Sequence, residues 1–547
     1  MENQRLKILS SAFLFSFIIV LVRFFYWQII KGPELKEKSL MQTYKLEKIL
    51  PERGIIYSSD GFPLVLNQNI YILSIYKPNL KEDLGNLINK IDSVHKDFIK
   101  NNSNLISNFQ SNPNQKWITF TTEFTSEEKD NLNILGISFE QKDKRFYPEA
   151  DLTKDILGFM GKDDRGSVTG YGGLEAYYNK QLKGRTGFYW ASKDATGKTI
   201  LTKKGWQSEA VDGRDIYTTI NRSVQYLAEK LLKEGIQKYS ADSGSISIME
   251  PSTGAIIAMT NFQASPSATF NHNSAILDLF EPGSIFKPII VSMALDTKTI
   301  NTSFICDQCY KPRVIGEYTI SNWNNELNPN STLQDIIKNS DNIGMSFVID
   351  HLGLKNFLDY YNKLGLSQKT GIDLQGEARS AAKTYWPDID LATASFGQGI
   401  AITQIQMLQA FNVLANNGYL IRPHLVNYFS EGDKIFKPKT KEETKIFDTT
   451  TIDDIKSILN YAAENGAVAK LIPKDLNVCT KSGTAQIALD GKYTDSATIA
   501  SYIGFSPCNN PKFTMIVTIN NPRTSPWGSS TAAPIWFNLA SGINHLL

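Results

Sequence analysis

Glu281-Pro282-Gly283-Ser284-Ile285-Phe286-Lys287-Pro288 is a turn of small residues that delivers a serine and then a lysine onto the apolar segment Ile289-Ile290-Val291-Ser292-Met293-Ala294-Leu295. An apolar run entered from a Gly/Ser turn reads as the start of a buried helix. Residues three apart share a helical face, so the Lys287 amine can reach the Ser284 hydroxyl, while first-turn N–H groups and the helix dipole favour negative charge there. A serine beside a desolvated lysine is a nucleophile with its base. Pro288 removes one early helical hydrogen bond, a tolerable defect in the first turns.

Ser-x-x-Lys is a cheap pattern in a lysine-rich chain and occurs five times here, at Ser74, Ser93, Ser126, Ser284 and Ser380. Ser74-Ile75-Tyr76-Lys77-Pro78 is a near copy, but it ends an alternating, strand-like run and is followed by the solvated Asn79-Leu80-Lys81-Glu82-Asp83. Two companions single out Ser284. Ser340-Asp341-Asn342 follows the helix-like Thr332–Lys338, and Lys481-Ser482-Gly483-Thr484 lies in a strand-like run from Leu476. A literal Lys369-Thr370-Gly371 has no strand partner close behind it, whereas Lys481 is followed by two strand candidates, Ala497–Gly504 and Lys512–Ile519, and so belongs to an antiparallel sheet.

S-x-x-K, S-D-N and K-T-G in this order are shared by penicillin-binding proteins and class A β-lactamases. The third motif here has serine for threonine, which keeps the hydroxyl. The chain resembles the class B, monofunctional penicillin-binding proteins of the FtsI or penicillin-binding protein 2 type. Supporting runs are Arg53-Gly54-Ile55-Ile56-Tyr57, Arg145-Phe146-Tyr147-Pro148, Gly172-Gly173-Leu174-Glu175, Phe396-Gly397-Gln398-Gly399 with Thr403-Gln404-Ile405-Gln406, and Ala532-Ala533-Pro534-Ile535. They cover nearly the whole chain. The family usually continues the first run Asp-Arg-Asn-Gly, where this chain has Ser58-Ser59-Asp60-Gly61.

The resemblance implies a D,D-transpeptidase of peptidoglycan that β-lactams inhibit covalently. Ser284 attacks the penultimate D-alanine carbonyl of a stem peptide, Lys287 takes its proton, Ser340 relays a proton to the leaving amine and Asn342 holds a substrate amide. Backbone N–H groups of Ser284 and Thr484 form the oxyanion hole. Ser482, Gly483 and Thr484 bind the substrate, the two hydroxyls holding its carboxylate in the positive field of Lys481. Ser482 and Thr484 share a strand face, so the reading requires Lys481 to curl around the sheet edge. A β-lactamase or β-lactam sensor with the same acylation site is the alternative; another is a division scaffold whose chemistry is dispensable.

A length of 547 residues accommodates two or three domains. A net charge of +2 argues against nucleic acid as the main partner. The sequence shows neither metal-ligand spacing nor a phosphate loop, so neither a metal nor another cofactor is expected. Arg5 and Lys7 precede the uncharged Ile8–Val22, and the aromatic run after Arg23 suits an interface. Residues 8–30 therefore read as an uncleaved transmembrane signal anchor, with residues 1–7 cytoplasmic and everything after about Lys31 outside. A cleaved secretory signal is the competing reading.

The expected fold class is α+β. By the same resemblance, residues 35–210 are expected to form a mixed, non-catalytic pedestal braced by Arg53 and Glu175, similar to the surface through which such proteins contact a membrane glycan polymerase of the FtsW/RodA type. Residues 211–547 form the transpeptidase domain: a helix near Arg222–Tyr239, a hairpin around Pro251-Ser252-Thr253-Gly254, and an antiparallel sheet joined to a helical subdomain with the site at their junction. Four cysteines are too few for a disulfide scaffold. Cys306 and Cys309 are expected to form a loop disulfide, with metal binding or two free thiols as the alternatives; Cys479 and Cys508 read as buried small hydrophobes.

Overall fold

The computed structural model describes residues 2–193, 199–200, 207–265, 272–381, 383–438, 443–489 and 492–546. They divide into two compact units, residues 1–54 with 183–213, and residues 55–182 with 214–547.

The first unit begins with the helix Glu2–Phe25, which runs on through one wider turn, Tyr26–Ile30. The segment Gln4–Ile30 is 27 residues long and contains an 18-residue stretch with a mean hydropathy of 2.3. At 1.5 Å per residue that is about 40 Å, enough for a hydrocarbon layer of about 30 Å. Among the described residues it is the one helix long and apolar enough to span. The Arg23 guanidinium lies over the Tyr26 and Trp27 rings at 5.5 and 5.2 Å, covering the charge that interrupts the apolar run. Tyr44–Ile49 then pairs antiparallel with Gly187–Lys193.

In the second unit, the 14-residue strand Pro63–Tyr76 pairs with both Trp117–Phe124 and Ile137–Phe146. Leu73 and Ile75 on one strand face pack against Leu87, Ile91 and Phe98 of the covering helices Leu84–Val94 and Phe98–Ser111. Ile56–Tyr57 continues this sheet into Asp215–Thr218 and Val426–Glu431, so strands from the N-terminal and C-terminal halves share one sheet. Glu175 is fully buried and accepts from Arg145 at 2.7 Å. Removing either member of such a pair strands a charge, at a cost of about 3–5 kcal/mol. The sequence reading named Glu175 with Arg53 and did not foresee Arg145 as its partner.

The C-terminal part is built on a five-stranded antiparallel sheet of β1 (Ser243–Met249), β2 (Ile256–Gln263), β3 (Cys479–Leu489), β4 (Lys492–Ser506) and β5 (Phe513–Asn520), in the order β2-β1-β5-β4-β3. Side chains alternate between two cores. Ala500, Tyr502, Met515 and Val517 face the helices α1 (Arg222–Tyr239) and α7 (Ala532–Asn544), whereas Ile503, Phe505 and Ile516 face the helical region. That region holds α2 (Lys287–Asp296), α3 (Leu333–Lys338), α4 (Asn342–Lys363), α5 (Gln404–Ala415) and α6 (Thr449–Asn465). α5 is buried along its whole length, its polar Gln404, Gln406, Gln409 and Asn412 each hydrogen-bonded in the interior. The fold is α+β, as the sequence predicts.

Cys306 and Cys309 are bridged. So are Cys479 and Cys508, which corrects the reading of them as separate hydrophobes. Antiparallel pairing sets Cys479 opposite Phe505, and the turn after β4 returns Cys508 to within 5.1 Å of it, Cα to Cα. A sequence separation of 29 gives no hint of this proximity.

Candidate active site

Ser284 sits in a single 3-10 turn, Gly283–Phe286, that feeds directly into α2. Gly283 has φ +58°, which lets the chain swing from the strand Leu279–Phe280 into the turn. Every residue of α2 from Lys287 to Leu295 is buried. Lys287 is thus carried into the interior by the apolar segment behind it, and Pro288 falls in the first turn, where its missing donor is harmless.

Three motifs separated by up to 197 residues converge here. The Ser340 hydroxyl donates to Ser284 Oγ at 2.8 Å. Lys287 Nζ donates to Ser340 Oγ at 3.2 Å, to the Ser340 carbonyl at 2.7 Å and to Asn342 Oδ1 at 2.7 Å. Lys481 Nζ reaches Ser340 Oγ at 3.3 Å and the carbonyl of Ser482 at 2.9 Å. The sequence reading had Lys287 touching Ser284 directly; among the described residues Ser340 Oγ stands between them and also receives Lys481. Asn342, expected to hold a substrate amide, spends its oxygen on Lys287 and its Nδ2 on the Ser321 carbonyl.

Ser340 holds a left-handed φ of +56° just beyond α3. Such a conformation in a non-glycine residue costs on the order of 1–3 kcal/mol and persists only where the surroundings enforce it. They do: Asp341 is fully buried and caps α4 through Gly344 N at 2.8 Å, and Asn322 Oδ1 accepts from Asn342 N at 2.8 Å. Asp341 lies inside the Ser-Asp-Asn motif, but its capping role, like Asn322, was not foreseen.

Lys481 does not curl around the sheet edge. It pairs across the ladder with Ile503, so its side chain faces the helical region and meets Ser340 directly. Ser482 and Thr484 pair with Tyr502 and Ala500 and face the other way, half-exposed along the edge strand, and Thr484 Oγ1 accepts from Gly528 N at 3.1 Å. β3 passes so close to the nucleophile turn that a Cβ on Gly483 would lie 3.1 Å from Ile285 N.

Two further glycines make this closeness possible. A Cβ on Gly397, of the Phe-Gly-Gln-Gly run, would lie 2.2 Å from the Gly283 carbonyl, and its φ of +76° also disfavours any side chain. A Cβ on Gly528 would lie 2.3 Å from the Gly483 carbonyl. Trp323 and Trp527 meet edge to face at 4.8 Å, one donating to the Asn339 carbonyl beside Ser340 and the other next to Gly528. Neither was marked by the sequence.

Electrostatically, the site holds two buried lysines and one carboxylate. Burial, and then the charge of Lys481, push Lys287 well below the usual lysine range, with Asp341 opposing. Burial alone pushes Lys481 down to about 7. The other Ser-x-x-Lys at Ser74 is engaged elsewhere: Ser74 Oγ meets Thr119 Oγ1 at 2.8 Å and Lys77 Nζ donates to the Asn112 carbonyl at 2.9 Å. The literal Lys369-Thr370-Gly371 is a loop clamped by Glu377, which accepts from the Thr370 hydroxyl at 2.6 Å. Among the described residues there is no group of carboxylates, histidines or cysteines that could hold a metal ion.

Residues 244–540, more than half the chain, match the model of the penicillin binding protein transpeptidase domain. The chain belongs to that family. Residues 48–218 match the penicillin-binding protein dimerisation domain. Similar chains include stage V sporulation protein D of Bacillus subtilis, 28% identical across 96% of this chain and 82% of its own length. The peptidoglycan D,D-transpeptidase FtsI of Escherichia coli is 25% identical across 99% and 91%. Among solved structures, penicillin binding protein 2X of Streptococcus thermophilus superposes with a TM-score of 0.76 over 91% of this chain and 80% of its own, at 22% identity. This penicillin-binding transpeptidase is an enzyme, and its apolar N-terminal helix fits a membrane-anchored one.

Proposed function

We propose that Ser284 is the nucleophile through which this peptidoglycan D,D-transpeptidase cross-links stem peptides, in division or elongation, and the residue that β-lactams acylate. The observation that carries this reading is the single Ser340 hydroxyl shared by Ser284 and by two buried lysines. Burial pushes Lys287 well below the usual lysine range, the direction that favours the neutral amine a base requires. Asn342 and the Ser340 carbonyl hold the Lys287 amine in place.

The Ser284 proton passes through Ser340 to Lys287 as Oγ bonds to the penultimate D-alanine carbonyl carbon. The same hydroxyl then returns a proton to the departing D-alanine amine as the C–N bond breaks. The amine of a second stem peptide attacks the ester, the C–O bond breaks and Ser284 regains its proton. Backbone N–H groups of Ser284 and Thr484 hold the oxyanion, worth about 3–4 kcal/mol per donor in comparable sites. Ser482 and Thr484, half-exposed along the edge strand, take the substrate carboxylate with Lys481 supplying positive field.

Gln4–Ile30 anchors the chain in the cytoplasmic membrane, with Arg5 and Lys7 keeping the N-terminal residues inside and the catalytic part outside. Residues 35–210 act as the non-catalytic pedestal beside a transpeptidase domain of 211–547, and present a surface to a glycan polymerase of the FtsW/RodA type. The family match to a dimerisation domain and the names of the relatives support this arrangement.

A transpeptidase excludes water from its ester, whereas a β-lactamase holds water against it. Incubation with excess penicillin, followed over time by intact mass and by assay of free antibiotic, separates the two. A covalent adduct that persists for many minutes is the expected result; rapid turnover of penicillin with no lasting adduct favours the hydrolase. Each additional 1.4 kcal/mol on the hydrolysis barrier slows loss of the adduct about tenfold.

A further inference from the structure

β3, which carries Lys481, Ser482, Gly483 and Thr484, is an edge strand that among the described residues pairs with β4 alone. A strand at an edge has a single ladder to hold its register, and a slip of one residue would turn every inward side chain outward. In β3 that slip would take Lys481 off the face that meets Ser340. The molecule fixes the strand at its first residue. Cys479 is fully buried opposite Phe505 and bonded to Cys508 in the turn that follows β4. Asn477 doubles the stitch: Cys508 N donates to its carbonyl at 3.2 Å and to its Oδ1 at 3.0 Å, and Ser506 Oγ donates to the same carbonyl at 3.0 Å. Cys479 and Lys481, two apart, lie on the same strand face.

We propose that the Cys479–Cys508 disulfide is a positioning element for Lys481, locking β3 in the register that holds the amine against the Ser340 hydroxyl. The Cys306–Cys309 bridge, by contrast, closes a loop of sequence separation 3 and constrains only its own turn. Lys287 on α2 bears on Lys481, with Asp341 at the start of α4 acting on Lys287 in turn; Lys456 belongs to α6, the helix packed against β3. With the strand fixed, burial holds Lys481 low. A strand free to shift admits water to the amine and returns it toward the ordinary lysine range, so the pH dependence of acylation moves with it. A staple that merely stabilised the fold would change the melting temperature and leave that pH dependence alone.

The inference rests on Ser284 being the acylated residue, and the test keeps the two apart. In the full-length protein, alkylation without reductant followed by intact mass is expected to modify none of the four cysteines. Penicillin acylation of the folded protein, well below its melting temperature, is then followed from about pH 6 to pH 10 for three proteins. These are the wild type, Cys479→Ala/Cys508→Ala, and Cys306→Ala/Cys309→Ala. The first pair of substitutions is expected to slow acylation about tenfold near neutral pH and to displace its alkaline limb upward. The second pair is expected to keep the wild-type profile. If the first variant fails to fold, Cys508→Ala alone replaces it. Alkylation of Cys479 and Cys508 in the wild type, or a wild-type profile in the Cys508 variants, overturns the proposal. A wild type that penicillin never acylates overturns the Ser284 assignment, and this proposal with it.

Discussion

Ser74-Ile75-Tyr76-Lys77-Pro78 and Ser284-Ile285-Phe286-Lys287-Pro288 differ at a single residue, tyrosine against phenylalanine. In the first, Ser74 lies near the end of a long strand, where residues three apart point to opposite faces, and its hydroxyl bonds to Thr119 across the ladder. Lys77 lies over the Phe109 ring at 4.2 Å with its amine on a surface carbonyl. In the second, Gly283 turns the chain into a helix, where three residues make nearly one turn, and the apolar segment behind drags the lysine inside. The motif is therefore a property of the backbone it is threaded on. Leu73 before one serine continues a strand; Gly283 before the other ends one.

The largest effect separates the two serines outright. Ser284→Ala should abolish covalent penicillin labelling with little change in the fold, because one hydroxyl is removed and almost no packing. Ser74→Ala should label as the wild type does. Labelling that survives without Ser284, or vanishes without Ser74, would sink the assignment.

The lysines sharpen the contrast. Lys287→Arg should slow acylation by about 10²–10⁴, since arginine keeps its charge and cannot act as a base; Lys77→Arg should change nothing. Wild-type acylation should rise with pH through a titration well below the usual lysine range, and Lys287→Arg should lose that limb. A wild-type rate in Lys287→Arg would remove support for the base.

Burial of Lys481 also fixes the sign of a stability effect. Its folded pKa, about 7, lies below the 10.5 of an exposed lysine, so between those values the unfolded chain binds more protons. Stability from this group is complete above about 10.5 and is lost as pH falls toward 7. Lys481→Met should therefore raise the melting temperature relative to wild type more at pH 7 than at pH 10. A pH-independent difference would show that the lysine is hydrated.

The smallest effects come from the other pair of look-alikes. Thr370→Val in the literal Lys-Thr-Gly removes a hydroxyl from buried Glu377 and should cost about 1–3 kcal/mol of stability while acylation stays unchanged. Ser482→Ala should do the reverse, slowing acylation with the melting temperature nearly intact. Interchanged outcomes would mean that the two motifs had been assigned the wrong way round.

Local pattern made much of this legible. The helix predicted near Arg222–Tyr239 has those limits, and the hairpin around Pro251–Gly254 forms with Ser243 opposite Gln263. Ser284, Lys287, Ser340, Asn342 and Lys481 could be singled out because each sits in a short run of distinctive residues, and all five meet. What stayed hidden depends on pairing across the fold. Nothing local ties Cys479 to Cys508, Arg145 to Glu175 or Trp323 to Trp527. The face of Lys481 was misjudged for a related reason: period two orders residues along β3 but cannot say which side the helices cover.

The floor under Ser284 is made of main chain. Gly397 lies on Gly283 and Gly528 on Gly483, closer than any side chain would allow. Main-chain atoms are the same whatever residue is encoded, and the only residue that fits there is already in place. A lineage under antibiotic selection therefore cannot reshape this floor by point substitution without losing the turn itself. The rim is built differently, from the exposed side chains of Trp323 and Trp527, which meet through their rings. The cleft thus joins a main-chain floor that admits no side chain to a rim made of exposed ones.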